Sequence, residues 1–545
     1  MLSGWRIKML KNYKKFNIIH PFLISLLPVL FIYSQNTREI SIQEIILPVL
    51  LILFGAVLLW LLARFIIKNN EKSGLIISLL LVLSFSYGHI YFLVDDFTLG
   101  NSDIGRHRYL LMPFVISFVV GTYYFAKTKI KLNKVTTIFN VFAGTFLAVI
   151  LINAAIYNIE NTDSFGSELI TSNTSLSTAV ATIETFHPIQ GEIKNYPDVY
   201  FIILDGHMSS SNLKKFLGYD NQEFVSYLTN KGFNVNHKSY SNYDGSLYSI
   251  TSTFNMRYLN FLIEDQIGQK VLHIPEKMIA ENTIMQNFKS AGYKIINIQK
   301  PFEQEALTSS SLIDLVLCKR SKYIDSQLLS MTVKTSILVF LVEKWEQQDL
   351  RDAALCQFSE LPKQYQKFNE PIFVYSHILV PHPPYIFGPE GEAVSSVRPQ
   401  GLESWQDKEG YINSVKFANK KITQIVDELL ADTENSPVII IQGDHGFGIE
   451  QGISNPNDNI EQQMSIFSAH YLPEIEENFP DDIFTSVNTF RIIFNSYFDT
   501  DYDLLENKIY FTDDNDPDFF IDVTDVLIPP WSCGDITRIK PKNFH

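Results

Sequence analysis

Pro197-Asp-Val-Tyr-Phe-Ile-Ile-Leu-Asp205-Gly206 is a run of β-branched and apolar residues that stops at a carboxylate followed by glycine. A second run far along the chain, Pro437-Val-Ile-Ile-Ile-Gln-Gly-Asp444-His445-Gly446, ends in the same way. Unbroken apolar runs of this length read as strands covered on both faces of a parallel sheet. Ligands of open α/β sheets bind beyond the carboxyl ends of the strands, which is where Asp205, Asp444 and His445 then fall. Two carboxylates and an imidazole at one sheet edge are the residue types of a metal site.

Working outward, further strands are expected at 293–298 and 372–375. A helix is expected at 411–430, where Ile412, Val415, Phe417, Ile422, Ile425, Val426, Leu429 and Leu430 recur at helical spacing. Strand–helix–strand alternation of this kind implies a mixed or parallel sheet with helices on both faces. The acidic, aromatic stretch 504–525 reads as late strands and loops. Residues 158–196 are rich in Ser, Thr, Asn and Glu and read as a connecting arm, partly helical around 177–185.

At 545 residues the chain exceeds one compact core. Its net charge of -15 hides an asymmetry, because residues 1–160 carry 15 Lys/Arg against 7 Asp/Glu. The strongly acidic remainder argues against nucleic-acid binding by the C-terminal part. The three cysteines, Cys318, Cys356 and Cys533, form no CxxC or Cys/His cluster. Cys318 and Cys356 can pair if that region lies outside the cytosol, but spacing does not show it, and incidental thiols are the favoured reading.

Five apolar stretches precede Asn158: 18–33, 45–62, 75–93, 109–125 and 135–157. Most approach the roughly 20 residues that a helix needs to cross a bilayer. A secretory signal peptide is the alternative for the first, disfavoured because four more apolar stretches follow and no clear cleavage site ends it. Arg6, Lys8, Lys11, Lys14 and Lys15 precede the first stretch. Arg64, Lys68 and Lys72 lie between the second and third, and Lys127, Lys129, Lys131 and Lys134 between the fourth and fifth. The alternate loops hold Glu39, Glu44, Asp95, Asp96 and Asp103 with few basic residues. The positive-inside rule then puts the N-terminus in the cytoplasm and everything after Asn158 outside. The expected organisation is a five-helix transmembrane domain at 1–157, a linker at 158–196 and an α/β domain at 197–545. In the second outer loop, Asp95, Asp96, Arg106 and His107 read as solvated loop charges in preference to a substrate contact.

A nucleophile candidate lies in Ser241-Asn-Tyr-Asp-Gly-Ser246-Leu-Tyr-Ser-Ile-Thr-Ser-Thr-Phe. Asp244-Gly245 signals a turn, and Ser246 would cap a helix continuing through Ile250 and Phe254. A hydroxyl there sits in positive potential beside free backbone N–H groups, and coordination to a dication would lower its pKa further. Ser249, Thr251 and Ser252 are rivals if the turn is shifted. A third element, Tyr375-Ser-His377-Ile-Leu-Val-Pro-His382-Pro-Pro-Tyr385, follows a strand, and its prolines would hold His382 on an extended, rigid loop. A histidine there could bind a phosphoryl oxygen or protonate a leaving alkoxide.

Strand-Asp-Gly, a Ser at a helix start, His-x4-His-Pro-Pro-Tyr and then Asp-His-Gly, in that order, resemble the sulfatase-like branch of the alkaline phosphatase superfamily. With five crossings and an outer domain, the layout is similar to that of lipoteichoic acid synthases and lipid A phosphoethanolamine transferases. The resemblance implies an N-terminal five-helix bundle followed by an α/β/α sandwich with a mostly parallel sheet. It implies that Asp205, Ser246, Asp444 and His445 ligate one divalent metal, that Ser246 becomes phosphorylated, and that His382 binds substrate or the leaving group with help from His377. Two departures are conservative, since the transferases commonly have Glu where Asp205 stands and Thr where Ser246 stands.

True sulfatases need C/S-x-P-x-R, but Ser246 is followed by Leu-Tyr-Ser-Ile and none of the three cysteines by x-Pro-x-Arg, so a formylglycine sulfatase is disfavoured. His207, His237 and His470 do not form the pattern of a two-metal phosphodiesterase. The ligand set suits Zn²⁺ or Mn²⁺ better than Mg²⁺ or Ca²⁺. The expected activity is transfer of a phospho-head-group from a membrane lipid to an envelope glycan or lipid through a phosphoseryl intermediate, at the cell membrane with the catalytic domain periplasmic or extracellular. Hydrolysis of a phosphate or sulfuric ester is the alternative, and a non-catalytic envelope-assembly protein is a third reading.

Overall fold

A computed structural model describes residues 18–528 apart from 37–41, 95–97, 100–101, 104–105, 157–195, 265–272, 301–306, 308–309, 320–326, 365–366, 395–404, 432–435, 449–454, 474–483 and 514–515. Asp95, Asp96 and the linker at 158–196, save Tyr196, fall outside the described residues. The chain divides into two compact units, Met1–Ile183 with Lys322–Glu346, and Glu184–Ser321 with Gln347–His545.

The first unit is helical. Its helices are α1 (His20–Gln35), α2 (Ile46–Ile67, extended by a 3₁₀ turn at Ile42–Ile45), α3 (Asn70–Val94), α4 (His107–Lys127) and α5 (Asn133–Ile156). The spans Ile42–Ile67, Asn70–Val94, His107–Lys127 and Asn133–Ile156 are long and apolar enough to cross a membrane, and α1 is a shorter apolar helix. Phe54, Phe65, Met112, Val120, Ile138 and Phe142 remain exposed on them. A helix apolar all round that leaves such side chains unburied has hydrocarbon as its solvent.

The second unit is built on a seven-stranded sheet. In chain order the strands are β1 (Val199–Leu204), β2 (Asn234–Asn236), β3 (Lys294–Ile298), β4 (Leu315–Leu317), β5 (Ile372–Ile378), β6 (Val438–Gln442) and β7 (Ser468–Tyr471). Their spatial order is β2-β7-β6-β1-β5-β3-β4, and only β7 runs against its neighbours. The flanking helices include α6 (Ser210–Leu217), α7 (Gln222–Asn230), α8 (Ser246–Asn255), α9 (Thr283–Ser290), α12 (Lys408–Leu429) and α13 (Thr489–Tyr497). Two more, α10 (Gln327–Lys334) and α11 (Val339–Glu360), lie between β4 and β5 in sequence.

Strand alternation sorts the core into two layers. Tyr200, Ile202 and Leu204 of β1 pack with Ile439 and Ile441 against Leu228 of α7 and Ile422 and Val426 of α12. Val199, Phe201 and Ile203 face the other way, with Phe373 and Ile440, against Phe254 of α8, Phe288 of α9 and Phe490 and Phe494 of α13. Both faces are covered, which is why β1 and β6 carry no polar alternation. The result is the expected α/β/α sandwich with a mostly parallel sheet. The late strands expected in 504–525 are the antiparallel pair Tyr510–Asp513 and Asp516–Asp522.

Two expectations are corrected. Cys318 and Cys356 form a disulfide across 38 residues, with a Cα–Cα distance of 5.8 Å, so they are not incidental thiols. The fold alone brings them together, because Cys318 follows β4 and Cys356 lies on α11. The loop carrying His382 is not extended, since residues 380–384 form turns and bends with cis bonds at Val380-Pro381 and Pro383-Pro384. Proline fixes φ but not the isomer of the bond before it.

Candidate active site

β1, β5 and β6 are neighbours, so their carboxyl ends deliver Asp205, His377 and Asp444 to one place. The Asp205 N–H donates to the carbonyl of Ile378 (2.9 Å), which continues the β1–β5 ladder up to the site. Gly206 then turns the chain at φ +70° and donates its N–H to Asp444 Oδ1 (3.0 Å). The His445 N–H donates to the same oxygen (3.0 Å). One carboxylate oxygen of Asp444 is thus held by two backbone donors, leaving Oδ2 turned toward the cluster.

Four further groups converge on these carboxylates. His377 Nε2 lies 3.0 Å from Asp205 Oδ2 and 3.4 Å from Asp444 Oδ2. His445 Nε2 lies 3.4 Å from Asp205 Oδ1. The Nδ1 of His445 bonds the Gly446 carbonyl (2.8 Å), and that of His382 the Pro383 carbonyl (2.6 Å), so in each ring Nε2 is the atom not engaged by the backbone. Lys300, two residues beyond β3, places Nζ 3.2 Å from Asp205 Oδ2 and 3.4 Å from His377 Nε2. Trp405 stands edge-on to the His382 ring at 4.9 Å and closes one side.

Ser246 is the first residue of α8, and Gly245 in extended conformation is its N-cap. The hydroxyl therefore sits one position inside the helix rather than capping it, still within the turn whose backbone N–H groups have no intrahelical acceptor. One turn on, Ser249 Oγ donates to the Asp444 carbonyl (2.6 Å), which fixes this end of α8 against the end of β6. The rival hydroxyls are committed: Ser249 as described, Thr251 to the Leu247 carbonyl (2.6 Å) and Ser252 to the Arg257 carbonyl (2.7 Å). All three are buried, whereas Ser246 is half-buried. Asp244 accepts from the Thr512 hydroxyl (2.8 Å) and backbone N–H (3.1 Å), tying the preceding turn to the late strand pair.

The electrostatics are those of buried anions seeking a cation. Burial pushes Asp205 up, but Lys300, His382 and His377 outweigh it and hold the carboxyl well below the usual range. Burial and Asp205 both push Asp444 up, and His445 and His377 overcome them, so it also stays ionised. Burial disfavours the His445 imidazolium, yet Asp444 and Asp205 raise its pKa from 6.5 to about 9. His382 is lowered, chiefly by burial.

Asp205 Oδ1 and Asp444 Oδ2 are buried without a hydrogen-bond donor. A buried acceptor without a well-formed hydrogen bond is costly, and with only imidazole nitrogens at 3.4 Å beside them both oxygens suit ligation of a cation. Carboxylate and imidazole atoms here form two overlapping three-residue sets, Asp205–His382–His445 and Asp205–His377–Asp444, with the donor atoms of each set within 4.8 Å of one another. The residues present fit a divalent ion. Asp205, Asp444 and His445 lie at one sheet edge, though Asp444 and His445 fall in different sets; His377 and His382 stand among the ligand types, and Lys300 was not foreseen. His207 is not part of the cluster: it is buried and bonds the Met208 carbonyl and Asn419.

Residues 197–490, just over half of the chain, match the Sulfatase family model. The chain belongs to the sulfatase family. No curated protein matches it. Among solved structures, the zinc complex of the C-terminal periplasmic domain of EcEptC from Escherichia coli is similar at 13% identity over 63% of this chain and 96% of that one, with a TM-score of 0.40. The integral membrane lipooligosaccharide phosphoethanolamine transferase A from Neisseria meningitidis covers 87% of this sulfatase-family chain and 95% of its own, at 11% identity and a TM-score of 0.37. The lipoteichoic acid synthase LtaP from Listeria monocytogenes aligns over 53% of this chain and 68% of its own, at 16% identity and a TM-score of 0.32.

Proposed function

We propose that this sulfatase-family enzyme is a membrane-anchored, metal-dependent phosphotransferase that moves a phospho-head-group from a lipid donor to a glycan or lipid hydroxyl on the outer side of the cell membrane. The observation that carries the reading is the pair of buried, unmatched carboxylate oxygens on Asp205 and Asp444 beside the start of α8. Asp205, Asp444, His445 and the Ser246 hydroxyl would hold one dication, zinc or manganese by the character of the ligands. When bound, such an ion supplies positive charge that polarises a phosphoryl oxygen and acidifies a coordinated hydroxyl.

The chain's own residues do the rest. Ser246 Oγ attacks phosphorus, and the donor's alkoxide leaves with the bonding pair. The proton lost by Ser246 passes to solvent or a nearby base. The backbone N–H groups of the first turn of α8 favour the anionic group held there. Lys300 adds a positive charge on the β3 side. His382, lowered chiefly by burial, donates its Nδ1–H to the Pro383 carbonyl, so its Nε2 carries a lone pair that would accept a proton from an attacking hydroxyl and return it to a leaving oxygen. The acceptor hydroxyl then attacks the phosphoseryl phosphorus and releases Ser246. With water as acceptor the same steps give hydrolysis.

The outward orientation is supported by loop charge and by the Cys318–Cys356 disulfide, which belongs to an oxidising compartment. The test is turnover of a head-group-labelled phospholipid by the full chain in vesicles. Ser246→Ala should lower turnover by roughly 10³-fold or more with metal content unchanged or weakened, and label should appear in an acceptor adduct. Unchanged turnover removes the mechanism, and free head-group phosphate without any adduct assigns hydrolysis.

A further inference from the structure

Between β4 and β5 the sequence runs Gln327-Leu-Leu-Ser-Met-Thr-Val-Lys-Thr-Ser-Ile337-Leu-Val-Phe-Leu-Val342-Glu-Lys-Trp345-Glu346, with six consecutive apolar residues at 337–342. Although encoded inside the α/β half of the chain, Lys322–Glu346 clusters with the membrane helices. We propose that residues 327–346 are a second membrane anchor, a wedge seated among the outer ends of the bundle helices with its exposed apolar side chains in the bilayer's interfacial layer.

Three independent contacts seat it. Leu328 of α10 is fully buried with Val29, Ile32 and Tyr33 of α1 and Ala154 of α5. Val339 of α11 is fully buried with Tyr87, Tyr91 and Phe114. Between them the Gly88 N–H donates to the Thr335 carbonyl (3.0 Å), and a Cβ at Gly88 would collide with the Lys334 carbonyl oxygen and lie 2.6 Å from the Thr335 carbonyl carbon. Only glycine lets the turn at 334–335 lie this close to α3.

A polar bridge completes the seat. His107 Nε2 is 3.1 Å from Glu343 Oε2, its Nδ1 is 2.9 Å from the Tyr87 hydroxyl, and its ring stacks on Tyr91 at 4.0 Å. His107 is thus engaged with this segment. These partners lie at the C-terminal ends of α1, α3 and α5 and the N-terminal end of α4, which loop charge places on the outer side.

The occupant of the remaining surface is the lipid boundary. Trp345 and Leu338 are 66% and 48% exposed, on a segment whose other apolar residues Leu328 and Val339 are buried among the bundle helices. Indole at that level is the common interfacial anchor. The α/β unit is therefore joined to the membrane unit by three chain crossings, near residues 183, 321 and 346, rather than by the linker alone.

The test uses the full chain in opened membranes, with a protease site inserted in the linker at 158–196. After cleavage and a high-salt wash the C-terminal fragment should remain in the membrane pellet. Gly88→Leu, and separately Val339→Glu, which leaves the bundle's own sequence intact, should raise its soluble-to-pelleted ratio roughly tenfold or more, as expected for loss of one buried seat. Release from the unaltered chain overturns the proposal, and so does retention in both variants. Brominated phosphatidylcholine should quench a fluorescence component that Trp345→Phe abolishes, and equal quenching in the two chains overturns the bilayer contact.

Discussion

Raising the pH from 7 to 8 should tighten metal binding about ninefold, and the reason lies in one imidazole. His445 has its pKa raised from 6.5 to about 9 in the metal-free protein because Asp444 and Asp205 stabilise the imidazolium against burial. A metal accepts only the neutral ring, so below pH 9 each binding event must expel a proton. Apparent affinity then scales with the neutral fraction, which rises from about 1% at pH 7 to about 9% at pH 8. An imidazole at its ordinary pKa would change by only about 1.3-fold over the same window. Asp205 and Asp444 are both held low and stay ionised throughout, so they add no pH dependence there.

Zinc titration calorimetry at the two pH values, in two buffers of different ionisation heat, reads both quantities. Close to one proton should be released at pH 7, against about a quarter of a proton for an ordinary imidazole. An affinity change below twofold with no buffer-dependent heat would refute the claim that His445 is charged by the two carboxylates and neutralised by the ion.

Two further outcomes follow from the same coordinates. Lys300→Met removes a cation 3.2 Å from Asp205 Oδ2, so zinc or manganese should bind roughly tenfold or more tightly while phospholipid turnover falls; weaker metal binding in that variant contradicts the placement. Cys356→Ser opens a crosslink spanning 38 residues and should cost up to about 4 kcal/mol of stability in the chain-entropy model, read as a lower denaturant midpoint that reductant no longer shifts.

Sequence carries some of this architecture plainly and hides the rest for identifiable reasons. β1 and β6 are legible because burial on both faces leaves only apolar residues, and the residue after each run must sit at the sheet edge. Four of the membrane helices are legible by length and composition, and α1 by composition. The 327–346 wedge escapes a length criterion, since six apolar residues are too few to cross a bilayer. The clue to it was that run lying within an otherwise soluble pattern.

Lys300 carries no motif, yet it stands two residues past the end of β3, at the same sheet edge that revealed Asp205 and Asp444. The turn at 380–384 and the disulfide both depend on tertiary context. Neither is written in local sequence. What sets Ser249, Thr251 and Ser252 apart from Ser246 is the backbone carbonyl that each of those three hydroxyls bonds, and no local sequence shows it.

The most direct measurement is a trapping experiment on the full chain in vesicles. The metal-loaded enzyme is mixed with a head-group-labelled phospholipid, quenched in acid within a turnover and mapped by peptide mass spectrometry. A phosphorylated adduct on Ser246, absent from Ser246→Ala, is the predicted result. Phosphate found on another residue, or turnover with an unmodified Ser246 throughout, would contradict the account.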